Sequence, residues 1–215
     1  MKRELQIQIM SNKLIEKEIL IFDFDGTLAD TSTLHERAFK EILKPYSINF
    51  KYKDIAGKRT KDAIDHIIQC AGKEFAKDEL EKLVHTKQKL VRKLIKSDLK
   101  PIEGVNEFLA WAKKRYFLAL CTSGSRETIE ISLEKIGYLN FFNLMICSED
   151  VSNGKPNPEG FLKIINITKI KKNNALIFED SEIGIEAAKR AGIDFIDVRN
   201  GFFKNFRFYS NMDGV

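Results

Sequence analysis

The sequence contains no apolar stretch long enough to cross a membrane. Its longest uncharged apolar runs, at 19–22 and 116–121, have the size of a β-strand, whereas a membrane-spanning helix needs roughly 20 such residues. Residues 1–10 also lack the continuous apolar block and the small-residue cleavage site of a secretory signal. We therefore expect a cytoplasmic protein that has no membrane partner.

Cysteine is scarce, and its spacing argues against two common kinds of site. The three cysteines, Cys70, Cys121 and Cys147, are odd in number and form no CxxC pair. Neither a disulfide framework nor a zinc cluster is therefore indicated. We expect all three to be buried thiols.

The excess of positive charge is small and lies in one segment. The 215 residues carry 36 Lys and Arg against 31 Asp and Glu, a net charge of +5, and residues 31–100 alone hold 17 against 10. Such a segment can attract an anionic ligand, although solvated helix faces have the same composition. It lacks the basic patches interleaved with aromatic residues that are typical of nucleic-acid binders, so no nucleic-acid partner is expected.

Short apolar runs alternate with helical patterns over most of the chain. Val105, Phe108, Leu109 and Ala112, for example, follow the i, i+3, i+4, i+7 spacing of an amphipathic helix. Alternation of strands and helices favours a parallel sheet with helices packed on it. We predict an α/β fold whose core is a Rossmann-like parallel sheet with helices on both faces. The predicted strands include 18–22, 117–121, 144–147, 175–178 and 195–198.

The segment 31–97 breaks this alternation. It contains no convincing strand and instead shows several helical patterns, of which the longest covers 77–97. A block of about 70 residues is far too long for a simple crossover connection. We therefore predict an inserted all-helical cap subdomain at 31–97, with 18–30 and 98–200 forming the α/β core.

Two terminal segments lie outside this pattern. Residues 1–17 form an N-terminal extension with no function that we can assign, and Met10 is a candidate translation start within it. Residues 201–215 form a tail rich in aromatic residues. We expect the tail to fold back over apolar surface, and the protein to be a monomer, with a dimer as the alternative.

Polar side chains stand at the ends of four predicted strands. The carboxyl ends of parallel strands lie at one edge of a sheet, where open α/β sheets bind their ligands. We therefore expect these side chains to converge. They are Asp23 and Asp25 after the first strand, Thr122 and Ser123 after the second, Lys155 after the third, and Glu179 and Asp180 at the end of the fourth.

Asp23 and Asp25 are two residues apart, so an extended chain directs both side chains to the same side. Clustered carboxylates repel each other unless a positive charge lies between them. Mg²⁺ prefers oxygen ligands of this kind. The pattern therefore indicates a magnesium site.

These motifs, in this order, resemble those of the haloacid dehalogenase superfamily. Over about residues 18–200, the chain is similar to the branch of phosphatases and β-phosphoglucomutase-like enzymes in which a helical cap follows the first motif. The motifs are DFDGTL at 23–28, TSGS at 122–125, GKPNP at 154–158, and FEDSEIGI at 178–185, followed by two alanines at 187–188.

The resemblance implies roles in catalysis and phosphate binding. Asp23 would be the nucleophile that forms an aspartyl-phosphate. Asp25 would protonate the leaving alkoxide and then activate water as a base. Thr122, the backbone near Ser123, and Lys155 would bind the phosphate.

The resemblance also implies a set of ligands for Mg²⁺. The ion would be held by Asp23, the backbone carbonyl of Asp25, and Asp180, with Glu179 assisting directly or through water. An acid at position 25 is absent from dehalogenases and from phosphonate-cleaving members, whose leaving groups need no proton. Both activities are therefore disfavoured.

Four cap residues are candidates for contact with substrate. His35 lies ten residues after Asp25, the spacing at which mutases of the family place a histidine that couples cap closure to the general acid. Many phosphatases of the branch also have this histidine. The loop at 57–61 resembles the substrate-contacting loop of the branch and contributes Lys58, Arg59 and Lys61.

The resemblance therefore implies a Mg²⁺-dependent phosphatase acting on a small phosphorylated metabolite, such as a sugar phosphate or phosphoglycolate. A β-phosphoglucomutase-type phosphotransferase on hexose phosphates is the alternative. Mutases place an arginine three residues after Gly57, where this sequence has Thr60. A catalytically inactive binding module is a third interpretation, and the complete set of motif residues disfavours it.

Overall fold

The computed structural model describes residue 14 and residues 16–206 of the chain. At its centre is a parallel sheet of five strands in the order β3-β2-β1-β4-β5. The predicted α/β class, with a parallel Rossmann-like core, is confirmed. The strands are β1 (Ile19–Phe22), β2 (Phe117–Cys121), β3 (Leu144–Ile146), β4 (Ala175–Glu179) and β5 (Asp194–Asp197).

Helices occupy most of the remaining described chain. Three of them lie between β1 and Pro101, as the helical pattern of this segment predicts. The helices are α1 (Ser32–Leu43), α2 (Thr60–Cys70), α3 (Lys77–Asp98), α4 (Val105–Ala112), α5 (Arg126–Ile136), α6 (Glu159–Thr168), α7 (Glu182–Ala191) and α8 (Phe202–Phe206).

The side chains of β1 alternate between two apolar layers. Leu20 and Phe22 are fully buried on the face covered by α4 and α5. Ile19 and Ile21 are equally buried on the opposite face, against α6 and α7. Because both faces of the strand are covered, all four of its residues are apolar, as is typical of a parallel sheet.

Helices α1 to α3 lie in the segment predicted to be the cap, and we use that name for it; they share an apolar cluster that includes Phe39, Ile64 and Leu83. The second half of α3 instead packs against the core, where Val91 and Ile95 join the cluster of β1. The two connections between cap and core run side by side at 28–30 and 100–102, joined by backbone hydrogen bonds of 3.0 and 3.1 Å. The chain therefore leaves and re-enters the core at adjacent points.

The C-terminal aromatic residues of the described chain fold back onto the core. Phe202, Phe203 and Phe206 are buried and pack around the ring of Phe108, with ring centroids 4.8–5.3 Å away. The predictions about Met10, residues 1–13 and the tail after 206 fall outside the described residues. Among the described residues, no helix combines the length and apolarity that crossing a bilayer requires.

One prediction about the cysteines is wrong. Cys121 and Cys147 are buried, but Cys70 is exposed in the last turn of α2, where its Sγ lies 3.7 Å from His66 Nε2. The buried face of α2 is formed by Ala63, Ile64, Ile67 and Ile68. Position 70 lies off this face, so its thiol points to solvent.

Candidate active site

The sheet topology brings the ends of β1 and β4 together. The two strands are neighbours with Phe22 opposite Phe178, and the Asp23 amide donates to the Phe178 carbonyl at 3.0 Å. Asp23 therefore lies beside Glu179 and Asp180 although more than 150 positions separate them in sequence. This convergence at the carboxyl edge is the one that the strand-end pattern predicts.

Three carboxylates form a compact cluster at this edge. One oxygen each of Asp23, Glu179 and Asp180 lies within 4.8 Å of the others. Burial raises the pKa of Asp180 to about 7, and the charge of Glu179 adds to the effect. Burial likewise raises the pKa of Asp23 well above its usual value, although Lys155 opposes the shift. The cluster holds more negative charge than its surroundings neutralise, and its donor atoms are the hard oxygens that suit Mg²⁺.

Lys155 is the buried cation of the cluster. Its Nζ donates to Asp23 Oδ1 at 2.7 Å, to the Cys121 carbonyl at 3.1 Å, and to Glu179. Burial alone would lower the pKa of Lys155, but the charges of Asp23 and Glu179 outweigh it and raise that pKa. The ammonium is therefore fixed in its charged form beside the nucleophile candidate.

Glycine allows the backbone to approach these carboxylates closely. A Cβ at Gly26 would lie 2.1 Å from Asp180 Oδ2, and Gly26 also has a positive φ of 83°. Thr27, the next residue, donates from its hydroxyl to Asp180 Oδ1 at 3.1 Å. The motif at 23–28 thus supplies one carboxylate of the cluster and orients another.

The side chain of Asp25 turns away from the cluster and towards the cap. His35 Nε2 faces Asp25 Oδ1 at 3.3 Å. Burial would raise the pKa of Asp25, but His35, followed by the charge of Lys87, lowers it to about 2. The carboxylate form is therefore favoured in this state.

Lys87 contacts the ring nitrogen of His35 that does not face Asp25. Lys87 is 1% exposed, and its Nζ lies 2.8 Å from His35 Nδ1. Burial lowers the pKa of Lys87 to about 8, and burial followed by the charge of Lys87 lowers the pKa of His35. When Nδ1 accepts from the ammonium, the proton of a neutral His35 lies on Nε2, the atom that faces Asp25.

The predicted phosphate-binding residues share one cavity with Arg59. Thr122, Ser123, Lys155 and Arg59 all line it. Thr122 is buried, and its Oγ1 accepts from the Gly124 amide at 3.0 Å, which leaves the hydroxyl proton available to another acceptor. Lys155, which lines this cavity and donates to Asp23, therefore connects the carboxylate cluster to the cavity.

The structure separates the predicted cap residues into two groups. His35 and Arg59 reach the site, as described above. Lys61 is exposed and Lys58 is half-buried. Within the described part of the chain, the side chains of these two lysines make no hydrogen bond or ion pair with the carboxylate cluster.

Sequence reasoning missed Lys87, although a signal for it exists. The buried positions of α3 are Leu83, Lys87, Val91 and Ile95, a four-residue spacing in which a lysine stands in an apolar stripe. A lysine at such a position is rarely buried without a partner. Its partner, His35, is 52 positions away, and only the packing of α3 against α1 brings the two together.

Comparison with known proteins agrees with this geometry. The description "Haloacid dehalogenase-like hydrolase" belongs to the family model that matches residues 20–198. A phosphorylated carbohydrates phosphatase of Thermotoga maritima is 34% identical over 185 residues, which cover 83% of this chain and 83% of that protein. A fructose-1-phosphate phosphatase of Escherichia coli is 28% identical over 183 residues, covering 84% and 95%.

A solved structure shares the fold. The crystal structure of β-phosphoglucomutase from Clostridium difficile superposes with a TM-score of 0.78 at 22% identity, covering 91% of this chain and 96% of that one. The predicted resemblance is confirmed, and so is the prediction that the chain is an enzyme of the hydrolase class. The match over 20–198 and the identity to the Thermotoga protein establish that the chain belongs to the haloacid dehalogenase-like hydrolase family.

Proposed function

We propose that this protein is a Mg²⁺-dependent phosphatase that hydrolyses a small phosphorylated metabolite, such as a sugar phosphate or phosphoglycolate, through an aspartyl-phosphate on Asp23. The observation that carries the proposal is the contact of Lys155 Nζ with Asp23 Oδ1 at 2.7 Å inside a cluster of three carboxylates. A buried carboxylate next to a fixed ammonium can approach a phosphate anion that would otherwise be repelled.

The donor set of the cluster fits a divalent cation. Asp23, Asp180 and the backbone carbonyl of Asp25 would hold Mg²⁺, and Glu179 would assist. When bound, the ion neutralises the carboxylates and the phosphate oxygens. The raised pKa values of Asp23 and Asp180 support this assignment, because a cation would remove the repulsion that contributes to them.

Side chains of the protein provide the nucleophile, the phosphate ligands and the proton transfers. The free carboxylate oxygen of Asp23 attacks phosphorus, while Lys155 and the Thr122 hydroxyl hold phosphate oxygens. Asp25 protonates the departing alkoxide and then takes a proton from the attacking water. With a pKa near 2 in the present state, Asp25 is already the carboxylate that the second step needs. For the first step it must gain a proton as the anionic substrate binds.

Two observations favour hydrolysis over the mutase alternative. At position 60, where the mutases of the branch carry arginine, the Thr60 hydroxyl accepts from Lys87 Nζ at 3.4 Å. Arg59 could replace that arginine, but its guanidinium is bonded to Asp62 and to the carbonyls of Val151 and Ser152. Thr60 therefore offers no cation for a second phosphate group, and in the closed cap the Arg59 guanidinium is held by other partners. Exposed Lys61 is the remaining candidate to replace the arginine. The mutase is kept as the second candidate because a β-phosphoglucomutase shares the fold.

The experiment is a panel of phosphorylated metabolites assayed for release of inorganic phosphate. We expect release from at least one sugar phosphate or phosphoglycolate with Mg²⁺, none with excess chelator, and none from Asp23→Asn. Interconversion of hexose phosphates with a bisphosphate activator and little free phosphate would favour the mutase. Full turnover by Asp23→Asn would refute the proposal.

A further inference from the structure

We propose that Arg59 is a positioning residue that fastens the cap to the loop of the core that carries Lys155. It would do so by joining the Asp62 carboxylate of the cap to the backbone carbonyls of Val151 and Ser152. The inference deepens the proposed phosphatase function and rests on it, because a closed cap would position Lys155 and exclude water during phosphoryl transfer.

The guanidinium of Arg59 contacts both the cap and the core. On the cap side, Nε donates to Asp62 Oδ2 at 2.7 Å and Nη2 donates to Asp62 Oδ1 at 3.2 Å. On the core side, Nη1 donates to the carbonyls of Ser152 at 3.1 Å and Val151 at 3.4 Å. The planar fork of arginine suits this arrangement, since the carboxylate fixes the orientation in which Nη1 meets the carbonyls.

The loop that Arg59 reaches is held by the core on its opposite side. The amides of Ser152 and Asn153 donate to the Glu159 carboxylate at 2.7 and 2.9 Å, and these bonds lower the pKa of Glu159. The core thus secures the N–H groups of the loop, while the cap residue Arg59 secures two of its carbonyls. Lys155 lies two residues after Asn153 in the same loop. Its placement is therefore linked to the position of the cap.

Gly154 makes the close approach of Arg59 feasible. A Cβ at Gly154 would lie 2.8 Å from Arg59 Nε and 3.1 Å from its Cδ and Cγ. Any side chain there would displace the guanidinium from its present position. Gly154 has no positive φ, so an alanine is compatible with the backbone and would act mainly through Arg59.

A second contact shows that the cap is closed in this structure. A Cβ at Gly57 would lie 2.8 Å from Ser181 Oγ and 3.0 Å from Ile183 Cγ1, so the cap loop also touches the opposite side of the cleft. The cavity lined by Arg59, Thr122 and Lys155 has a volume of only about 20 Å³, enough for one water molecule. This volume is too small for a phosphorylated metabolite, so binding one in this cavity requires the cap to move and the Arg59 bonds to the loop to break.

The first test measures the distance between cap and core without substrate. Cys70 is the exposed cysteine of the cap, and Lys171→Cys adds an exposed labelling site on the core, so spin labels on both report cap opening. We expect Arg59→Ala to raise the open population about tenfold. The control Lys77→Ala, which removes a cation that is 88% exposed on the cap, should leave the distribution unchanged. Superimposable distributions for Arg59→Ala and the parent would overturn the proposal.

The second test uses the contact between Gly154 and Arg59. We expect Gly154→Ala to open the cap as Arg59→Ala does, and to have no further effect when combined with Arg59→Ala. Additive effects of the two changes would show that they act independently, and would contradict the proposed connection.

The third test separates positioning from substrate binding. Arg59→Ala should lower kcat about tenfold and change KM less than threefold, and Arg59→Lys should restore part of kcat, because a single ammonium can reach one carbonyl but lacks the fork. A rise in KM at constant kcat would instead make Arg59 a substrate ligand. Because the distance measurement needs no substrate, failure of the cap connection and failure of the proposed phosphatase activity are distinguishable.

Discussion

Lys87 Nζ lies 2.8 Å from His35 Nδ1, and the other nitrogen of the same imidazole faces the Asp25 carboxylate at 3.3 Å. This contact joins two helices of the cap to a residue of the first strand-end motif. A charged Lys87 can only donate, so a neutral His35 beside it carries its proton on Nε2. Burial, followed by the charge of Lys87, lowers the pKa of His35, and His35 in turn lowers the pKa of Asp25. The protonation state of Asp25 is therefore set partly by a cap residue.

Removing the buried lysine should change the pH dependence of catalysis. In Lys87→Met, the pKa of His35 should rise, because the positive charge of Lys87 that helps to lower it is gone. We expect kcat to fall about tenfold, part of the roughly 10²–10⁴-fold that general acid–base catalysis contributes. The pH profile of kcat/KM checks this, with Lys89→Met, an exposed position of the same helix, as the control. An acid limb at the same pH in Lys87→Met and the parent would contradict the assignment.

Without a divalent cation, the protein should become more stable as the pH falls from 8 to 5.5. The pKa of Asp180 in the folded protein is about 7, above its ordinary value of 3.8, so the folded state binds more protons than the unfolded state between these values. Stability then decreases as the pH rises through this range. Calorimetry in excess chelator should show a higher Tm at pH 5.5 than at pH 8.

The same measurement on a variant identifies the residue responsible. Asp180→Asn should raise Tm at pH 8 and flatten the pH dependence, because the carboxylate that is protonated on folding is removed. Asp65→Asn, at an exposed position of the cap, serves as the control and should behave as the parent does. An unchanged slope in Asp180→Asn would show that another group accounts for the dependence.

Replacing the buried ammonium of the cluster should destabilise the fold as well as stop turnover. The side chain of Lys155 is 7% exposed, and it pairs with Asp23 and with Glu179, whose side chain is fully buried. In Lys155→Met, the carboxylates lose their partner, which should cost about 3–5 kcal/mol in the free energy of unfolding. Denaturation with urea at pH 8 measures the loss, and exposed Lys171→Met is the control. A decrease in the free energy of unfolding of less than about 1 kcal/mol would contradict the role of Lys155 in the cluster.

The C-terminal aromatic residues should matter for stability and not for chemistry. Phe203 is 2% exposed, and its ring lies 5.3 Å from Phe108 and 5.9 Å from Phe178. Phe203→Ala should lower the free energy of unfolding by about 3–5 kcal/mol. The control Ile167→Ala changes a residue that is 52% exposed and should have little effect. Loss of kcat in folded Phe203→Ala at unchanged stability would refute this interpretation.

Most of the core and its edge could be predicted from the sequence because local patterns determine them. The apolar runs predicted both ends of all five strands to within one residue. Parallel pairing then places the ends of all the strands at one edge, whereas the adjacency of β1 and β4, which brings Asp23 beside Asp180, is known only from the structure. The polar residues of the carboxyl edge were therefore accessible to sequence reasoning.

The cap contacts could not be predicted in the same way. The pairing of Lys87 with His35, and of Arg59 with the loop at 151–152, depends on how helices pack and on how the cap meets the core. No periodicity along the chain encodes either distance. The exposure of Cys70 could not be predicted for the same reason. It depends on which face of α2 packs against the apolar cluster of the cap.

The central claim is that Asp23 carries the phosphoryl group during turnover. Rapid acid quenching of the enzyme during reaction with a turned-over substrate and Mg²⁺, followed by digestion and mass spectrometry of the peptides, tests it most directly. We predict a transient phosphorylated peptide with the group on Asp23, absent in Asp23→Asn. Steady turnover with no phosphorylated peptide at any quench time, or with the group on another residue, would contradict the account.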